Sequence, residues 1–215
     1  MVIFGKLLKI HYSMKICDYF LANLHLGLVL NVNWFQPYKN TIYSTGVIYA
    51  AIANLPHEIY FKHKNILILN ILPGPNEANL HKINHYLSPI VDELILLWQG
   101  TKLDSTAECS KGKIICAALI LISCDIPAAR KVCGHISVLV SCHRCNKKVN
   151  YVNNKHNFGG MRNMNEWFVP KDSAIHRQNA IEWRRCNSNA ARKRFVSDKL
   201  VRWSKFLRLP YFDPI

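Results

Sequence analysis

Two apolar segments that each end in a polar residue constrain the fold of this chain most. Residues 28–38 carry Asn33 near the end of a run rich in Val, Leu and aromatic side chains, and residues 113–124 lead directly into Asp125. Runs of this composition are typical of β-strands. If the two strands lie side by side, their polar ends can share a metal ion, but the Asn33 amide carries no charge to bind Mg²⁺ tightly. The sequence therefore predicts a metal-binding sheet edge with one weakened ligand.

The first half of the chain reads as a meander of strands followed by a helix. Residues 25–35, 43–55 and 65–72 are strand-like runs separated by Pro- and Asn-containing turns, which favours antiparallel pairing. In residues 76–99 apolar side chains recur at spacings of three and four, as in an amphipathic helix, and Gly100 is placed to end it.

A further strand and helix complete this α/β pattern. Residues 113–124 predict a buried central strand, and Pro127 is suited to the first turn of a helix over residues 128–133. Three strands, a helix, a strand and a helix is the element order of the ribonuclease H-like fold, a mixed sheet in which the first and fourth strands are neighbours. Such a neighbourhood would bring Asn33 and Asp125 together.

Asp125 also has a simpler interpretation. An Asp directly before Ile-Pro-Ala-Ala is a good helix N-cap, which stabilises a helix by about 1 kcal/mol. From the residues alone, the cap is favoured over the metal ligand.

The basic charge is concentrated in the second half of the chain. Residues 131–215 hold 17 Lys or Arg against 5 Asp or Glu, whereas residues 1–130 hold 11 against 8, within a net charge of +15. Such a block suits DNA through phosphate contacts and counterion release. The alternative is a solvated basic surface without a partner. Candidate DNA-binding residues are Arg184, Arg185, Arg192, Lys193, Arg194 and Arg202.

Apolar residues are interleaved with these basic ones. They recur at helical spacing and are interpreted as core contacts rather than base-stacking groups: Val196, Leu200, Trp203, Phe206 and Leu207. Binding by the remaining basic face would be sensitive to salt and nearly blind to sequence.

The eight cysteines are irregularly spaced, which favours a reducing compartment over a disulfide scaffold. The N-terminus lacks the features of a signal peptide, and the apolar run over residues 114–124 is too short to cross a bilayer, so no membrane partner is expected.

Cys142 and Cys145 have the spacing of half a tetrahedral zinc site, although such pairs also occur as redox or buried thiols.

Several longer motifs, in this order, resemble landmarks of CACTA-type DNA transposases, and the resemblance spans roughly residues 20–215. They are Asn-Val-Asn-Trp-Phe-Gln-Pro-Tyr (31–38), Ile-Leu-Pro-Gly-Pro (71–75), Pro-Ile-Val-Asp-Glu-Leu (89–94) with Leu97-Trp98, Cys-Asp-Ile-Pro-Ala (124–128), Cys-His-Arg-Cys (142–145), His176-Arg177 and Leu-Pro-Tyr-Phe-Asp-Pro (209–214).

The resemblance implies a ribonuclease H-like core that cuts DNA with three carboxylates and two divalent cations such as Mg²⁺. The first family carboxylate falls on Asn33 and the second on Asp125. The third would lie in an Asp-Pro-Met-His-like motif beyond the Phe-Asp-Pro segment, which the sequence up to Ile215 does not include. We therefore expect this chain to be catalytically defective.

The resemblance also implies a zinc-knuckle-like insertion, which favours Cys142, Cys145 and His176 as Zn²⁺ ligands. The fourth ligand is open among His156, Cys133 and His135.

Together these inferences predict an N-terminal extension over residues 1–20, a partial ribonuclease H-like core over residues 21–134, and a basic Cys/His-containing insertion with a helical segment over residues 135–215. The expected function is that of a transposase-derived, nuclear DNA-binding protein without a small-molecule substrate, for which a homo-oligomeric state is left open. The alternatives are a non-enzymatic nucleic-acid-binding or interaction module, and a decayed reading frame with no function.

Overall fold

The computed structural model describes residues 25–40, 42–105, 110–136, 142, 144–145, 150–157 and 169–215, except the side chains of Leu80, Asn150 and His156. Within them a five-stranded mixed sheet packs with helices, so the chain is a mixed α/β protein. None of the helices in this described part combines the length and apolarity needed to span a bilayer. The predicted extension over residues 1–20 lies outside the described residues.

The first three strands form the predicted antiparallel meander. They are β1 (His25–Phe35), β2 (Thr45–Ile52) and β3 (Ile66–Leu72). The predicted bounds of β1 are confirmed, and β3 begins one residue later than predicted. The prediction for β2 was too long at both ends. Its chain turns after Ile52, because the Asn54 side chain accepts from Gly27 N at 2.7 Å and donates to His25 O at 3.1 Å.

Two helices flank β3 along the chain. The short α1 (His57–Tyr60) was not predicted, and it places Tyr60 in a small apolar cluster with Val29 and Ala51. The long α2 (Leu80–Gln99) begins four residues later than predicted, because Asn79 is its N-cap and accepts from the backbone of the first turn. Gly100 ends it with φ 101°, as predicted, a conformation that favours glycine.

The sheet is completed by β4 (Thr101–Leu103) and β5 (Lys113–Ile122), in the order β3-β2-β1-β5-β4. β5 is parallel to β1, and the other neighbours are antiparallel. The predicted neighbourhood of the first strand and the strand over residues 113–124, which is β5 in the structure, is therefore confirmed, whereas β4 was not predicted. The predicted burial of β5 is confirmed only for its middle. Near its ends, the side chains of Ile114 and Leu121 are 62% and 49% exposed.

The rest of the described chain is mainly helical. It contains α3 (Ile126–Cys133), a small hairpin of β6 (Asn150–Val152) and β7 (Lys155–Asn157), α4 (Ser173–Arg185), α5 (Asn189–Lys199) and a 3₁₀ helix (Lys205–Arg208). The apolar residues from Val196 to Leu207 recur at helical spacing but do not lie on one helix. Leu200 adopts φ 60° and ends α5. The core interpretation is nevertheless confirmed for Leu200, Phe206 and Leu207, which are buried.

One main hydrophobic core joins both halves of the chain. It combines Leu30 and Val32 of β1 with Leu87 and Val91 of α2, and it also contains Phe206, Leu207, Leu209 and Phe212 from the C-terminal segment. The predicted domain boundary at residue 134 stays a prediction, but the core itself does not stop there.

Candidate functional site

The carboxyl ends of β1 and β5 lie together at one edge of the sheet. In the parallel ladder Leu30 is opposite Ile122, and Ser123 N donates to Leu30 O at 2.8 Å. Asn33 follows Leu30 by three residues within β1, and Asp125 follows Ile122 by three residues, beyond the end of β5 and at the start of α3. Both side chains are exposed. The structure therefore places both residues at the same edge of the sheet, and a shared metal ion stays a prediction.

Asp125 at this edge is the N-cap of α3. Its Oδ1 accepts from Ala128 N at 2.7 Å, and Pro127 occupies the first turn. The cap interpretation of Asp125 is therefore confirmed. A carboxylate has further lone pairs, so the cap alone does not prevent it from also binding a cation.

The side chains around the edge do not fit a two-metal site. Two divalent ions require several carboxylate oxygens, and Asn33 contributes a neutral amide. Glu77 is paired with Lys131 at 2.9 Å, and the same Lys131 ammonium lies 5.2 Å from the centre of the Trp34 ring. Within residues 25–40, 42–105 and the later described segments, no group of three or more His, Cys, Asp or Glu could hold a metal.

The structure brings the thiols of Cys142 and Cys145 together. Burial alone would raise the pKa of Cys142, but hydrogen bonds from the backbones of Arg144 and Cys145 and from the Cys145 thiol, with the charge of Lys171, lower it overall. Lys171 Nζ also donates to Cys142 O at 2.6 Å. The pair thus has the proximity that a shared metal needs, but it supplies two of the four ligands of a zinc site.

His176, the third predicted zinc ligand, lies instead against His135, with ring centres 4.5 Å apart. Both rings are buried, and burial together with neighbouring positive charge lowers the pKa of His135 to about 3 and of His176 to about 4. Since a carbonyl can only accept, His135 Nε2 is the donor to Pro214 O at 2.8 Å. Two neutral rings in the interior are typical of core histidines.

The other candidates for the fourth zinc ligand differ in environment. Burial raises the pKa of the Cys133 thiol to about 12, an environment in which cysteines are unreactive. The His156 side chain lies outside the described part of the structure.

The six candidate DNA-binding residues fall into two groups. The Arg184 guanidinium lies 4.8 Å from the centre of the Trp203 ring, and that of Arg192 lies 5.3 Å from the Trp183 ring. Arg202 is half-buried, and its Nε and that of Arg192 have no hydrogen-bond partner among the described residues. Arg185, Lys193 and Arg194 are exposed, and Arg184 is exposed as well beside its contact with Trp203. The exposed side chains of Arg185, Lys193 and Arg194 form the second group, which can reach a phosphate backbone.

Sequence reasoning assigned no contact to Arg177, which organises the C-terminal segment. Its guanidinium donates to the carbonyl of Leu207, to that of Phe212 at 2.6 Å and to that of Leu209 at 3.5 Å. Ser173, on the same helix, donates to the Asp213 carboxylate. No periodicity marks such contacts, and only the resemblance to the family singles out the His176-Arg177 dipeptide.

A family model described as Transposase family tnp2 matches residues 14–205 of the chain. The match includes the strand ends with Asn33 and Asp125 as well as helices α4 and α5. None of the curated proteins compared with the chain matches it.

Proposed function

This chain belongs to the transposase family tnp2, and we propose that it is a transposase-derived DNA-binding protein of a mobile element whose own cleavage site is incomplete. Within that family we propose the CACTA type and a ribonuclease H-like core. The support for this core is the sheet order β3-β2-β1-β5-β4, with the parallel pair of β1 and β5 at its centre.

The observation that carries the DNA-binding proposal is the exposed basic group on α4 and α5. Arg185, Lys193 and Arg194 are exposed in a half of the chain that holds 17 Lys or Arg against 5 Asp or Glu. Phosphate contacts of this kind position a duplex without reading its sequence. The Arg184 and Arg192 stacks on tryptophan add positive charge next to the exposed group.

The incomplete cleavage site is argued from the strand ends. Replacing a carboxylate by the Asn33 amide removes a negative charge where the family holds Mg²⁺, and the Asp125 Oδ1 already serves the α3 cap. Strand cleavage is then the task of a relative that carries the full set of carboxylates, and DNA binding in the nucleus is that of this chain.

Zinc binding at Cys142 and Cys145 is a separate part of the proposal. It is supported by the proximity of the two thiols and by the lowered pKa of Cys142. The test is metal content: protein purified under reducing conditions should carry about one equivalent of Zn²⁺, and Cys142→Ser should release it. Protein without zinc, with both thiols alkylated freely in the native state, would contradict it.

DNA binding is tested by a salt titration with a random duplex. We expect affinity that falls steeply between low and moderate salt, by counterion release. The variant Arg185→Glu/Lys193→Glu/Arg194→Glu should lose at least about tenfold in affinity and have a shallower salt slope, since each lost phosphate contact removes about one unit of slope.

The matched control is Lys62→Glu/Lys64→Glu/Lys102→Glu, because these lysines are also exposed and the net charge changes equally. Equal losses in the two triple variants would mean that net charge, not a surface on α4 and α5, attracts DNA. No binding of the unmodified chain at low salt would contradict the proposal outright.

Cleavage is tested on supercoiled plasmid with Mg²⁺ or Mn²⁺. We expect no nicking by this chain, and none by Asn33→Asp, because one added carboxylate still leaves the edge without the several that two metal ions require. Metal-dependent nicking that Asp125→Ala abolishes would show that the site is complete.

A further inference from the structure

Two histidines on the exposed side of α2 form a pair that the proposed function does not use. His81 and His85 lie four residues apart in the first half of the helix, and both are exposed. Their ring centres are 5.4 Å apart, with an interplanar angle of 86°. Side chains four residues apart on a helix are neighbours on one face, so this juxtaposition follows from the helix itself.

The ring separation fits a shared metal ion. With Zn–N bonds of about 2.0 to 2.1 Å, two imidazoles on one tetrahedral ion have ring centres about 5 Å apart. The observed separation of 5.4 Å is close to this value. Imidazole nitrogens prefer Zn²⁺, Cu²⁺ and Ni²⁺ over Mg²⁺, and two histidines at this helical spacing are a known zinc-binding arrangement in proteins.

We infer that His81 and His85 form a surface site for a borderline divalent transition-metal ion such as Zn²⁺, with the two imidazoles as protein ligands and water completing the coordination. The inference does not rest on transposase function. It is also separate from the Cys142 and Cys145 pair, because the two histidines lie on α2 in the first half of the chain.

The site would fix the amino-terminal part of α2. Asn79 accepts from the backbone of His81 and Lys82 at 3.1 and 2.9 Å, so the helix start is already capped. An ion bridging His81 and His85 would bind the folded helix better than the unfolded chain, and thereby stabilise the protein.

The test uses the full chain labelled with ¹³C at histidine, with Ni²⁺ as a paramagnetic probe, Zn²⁺ as its competitor and Mg²⁺ as a negative control. The variants His81→Gln and His85→Gln assign the two signals, and glutamine keeps a good helix former at each position. The comparison signals are His57 and His63, which are exposed and belong to other elements.

We expect the His81 and His85 signals to broaden together at sub-stoichiometric Ni²⁺, before those of His57 and His63, and to recover when Zn²⁺ is added. Each single variant should lose at least tenfold in Ni²⁺ affinity at this site. The loss in the double variant should be no larger than that in either single variant, because removing one of the two ligands already abolishes the chelate. Circular dichroism of each variant checks the helix content. Broadening of all four histidines in parallel, or a single variant that keeps full affinity, would overturn the inference.

Discussion

The sheet and the C-terminal segment (residues 200–215) share one core but are held by different interactions. β1 pairs with β2 and β5 through continuous backbone ladders. The C-terminal segment is held mainly by bonds between side chains and backbone: Arg177 donates to its carbonyls, His135 donates to Pro214, and Ser204 donates to the Val132 carbonyl. Ladders repeat along a strand, whereas each bond of the second kind depends on one side chain. Single substitutions should therefore affect the two regions differently.

The same two regions differ in the chemistry they offer. At the sheet edge Asn33 lies near the end of β1 and Asp125 lies just beyond β5, and of these two side chains only that of Asp125 carries a charge. The helical region carries the charge, with Arg185, Lys193 and Arg194 exposed on α4 and α5, where Arg192 lies over the Trp183 ring and Arg184 over the Trp203 ring. This contrast is the basis for proposing that the chain binds DNA without cutting it.

The largest expected effect tests whether the two regions unfold as one unit. Phe206 is fully buried and packs with Phe212, with ring centres 5.4 Å apart. Phe206→Ala should lower the free energy of unfolding by about 3 to 5 kcal/mol, through lost burial and the cavity left behind. Urea unfolding followed by fluorescence and circular dichroism should still give one coincident transition. Phe35→Ala is the control, because Phe35 is 46% exposed. Two separate transitions would mean that the regions are independent domains.

Next in size is a pH effect confined to the C-terminal side. The folded pKa values are lowered to about 3 for His135 and about 4 for His176. An unfolded histidine has a pKa of about 6.5, so below that pH the unfolded chain binds more protons. This contribution to stability is fully present above pH 6.5 and is lost as the pH falls towards 4.

The two histidines together should lower the free energy of unfolding by up to about 4 kcal/mol between pH 7.5 and pH 5. Urea unfolding at each pH measures this. The variant His135→Gln/His176→Gln should have a flatter profile over the same range. Asp213, Lys171 and Arg130 face the pair and remain in this variant, so an unchanged profile would show that the two histidines do not cause the pH dependence.

The contrast between ladders and single side chains also explains how much of the fold was predictable. The bounds of β1 and the end of α2 at Gly100 follow from composition and periodicity. The neighbourhood of β1 and β5 was expected from the element order, which is that of the ribonuclease H-like fold. The end of β2 did not, because it depends on Asn54 reaching back to Gly27. The apolar spacing after Val196 predicted a helix where Leu200 turns the chain. Local sequence patterns therefore indicate which helices and strands form, whereas tertiary contacts determine where these elements end.

The candidate site divides in the same way. The placement of Asn33 and Asp125 at one edge was predictable, because parallel neighbours end at one edge of a sheet. The burial of His176 against His135 was not, since these residues lie on different elements and nothing in their spacing indicates contact. The stacking of Arg184 on Trp203 likewise joins residues that periodicity does not pair.

A moderate effect tests the role of Arg177 in holding the C-terminal segment. Arg177→Ala should cost about 2 to 4 kcal/mol, because it leaves the carbonyls of Leu209 and Phe212 without their charged donor. Arg177→Lys should fall in between, since an ammonium cannot reproduce the fork of the guanidinium. Arg185→Ala, at the exposed end of the same helix, is the control and should change stability by less than about 0.5 kcal/mol. If urea unfolding gives Arg177→Lys the same free energy of unfolding as the unmodified chain, a positive charge at this position is enough to hold the C-terminal segment.

The smallest effect belongs to the sheet edge and separates its two interpretations. Asp125→Ala removes the acceptor of Ala128 N and should cost about 1 kcal/mol, whereas Asp125→Asn should cost much less, because asparagine caps helices as well as aspartate does. Asp104→Ala is the control, since Asp104 is also exposed at a strand end. The measurement is the urea midpoint with and without Mg²⁺. If Asp125 acts here as a cap, the ranking is the same in both. A midpoint that Mg²⁺ raises in the unmodified chain but not in Asp125→Asn would instead show that the carboxylate binds the ion, and that the edge keeps more of its metal chemistry than the Asn33 amide suggests.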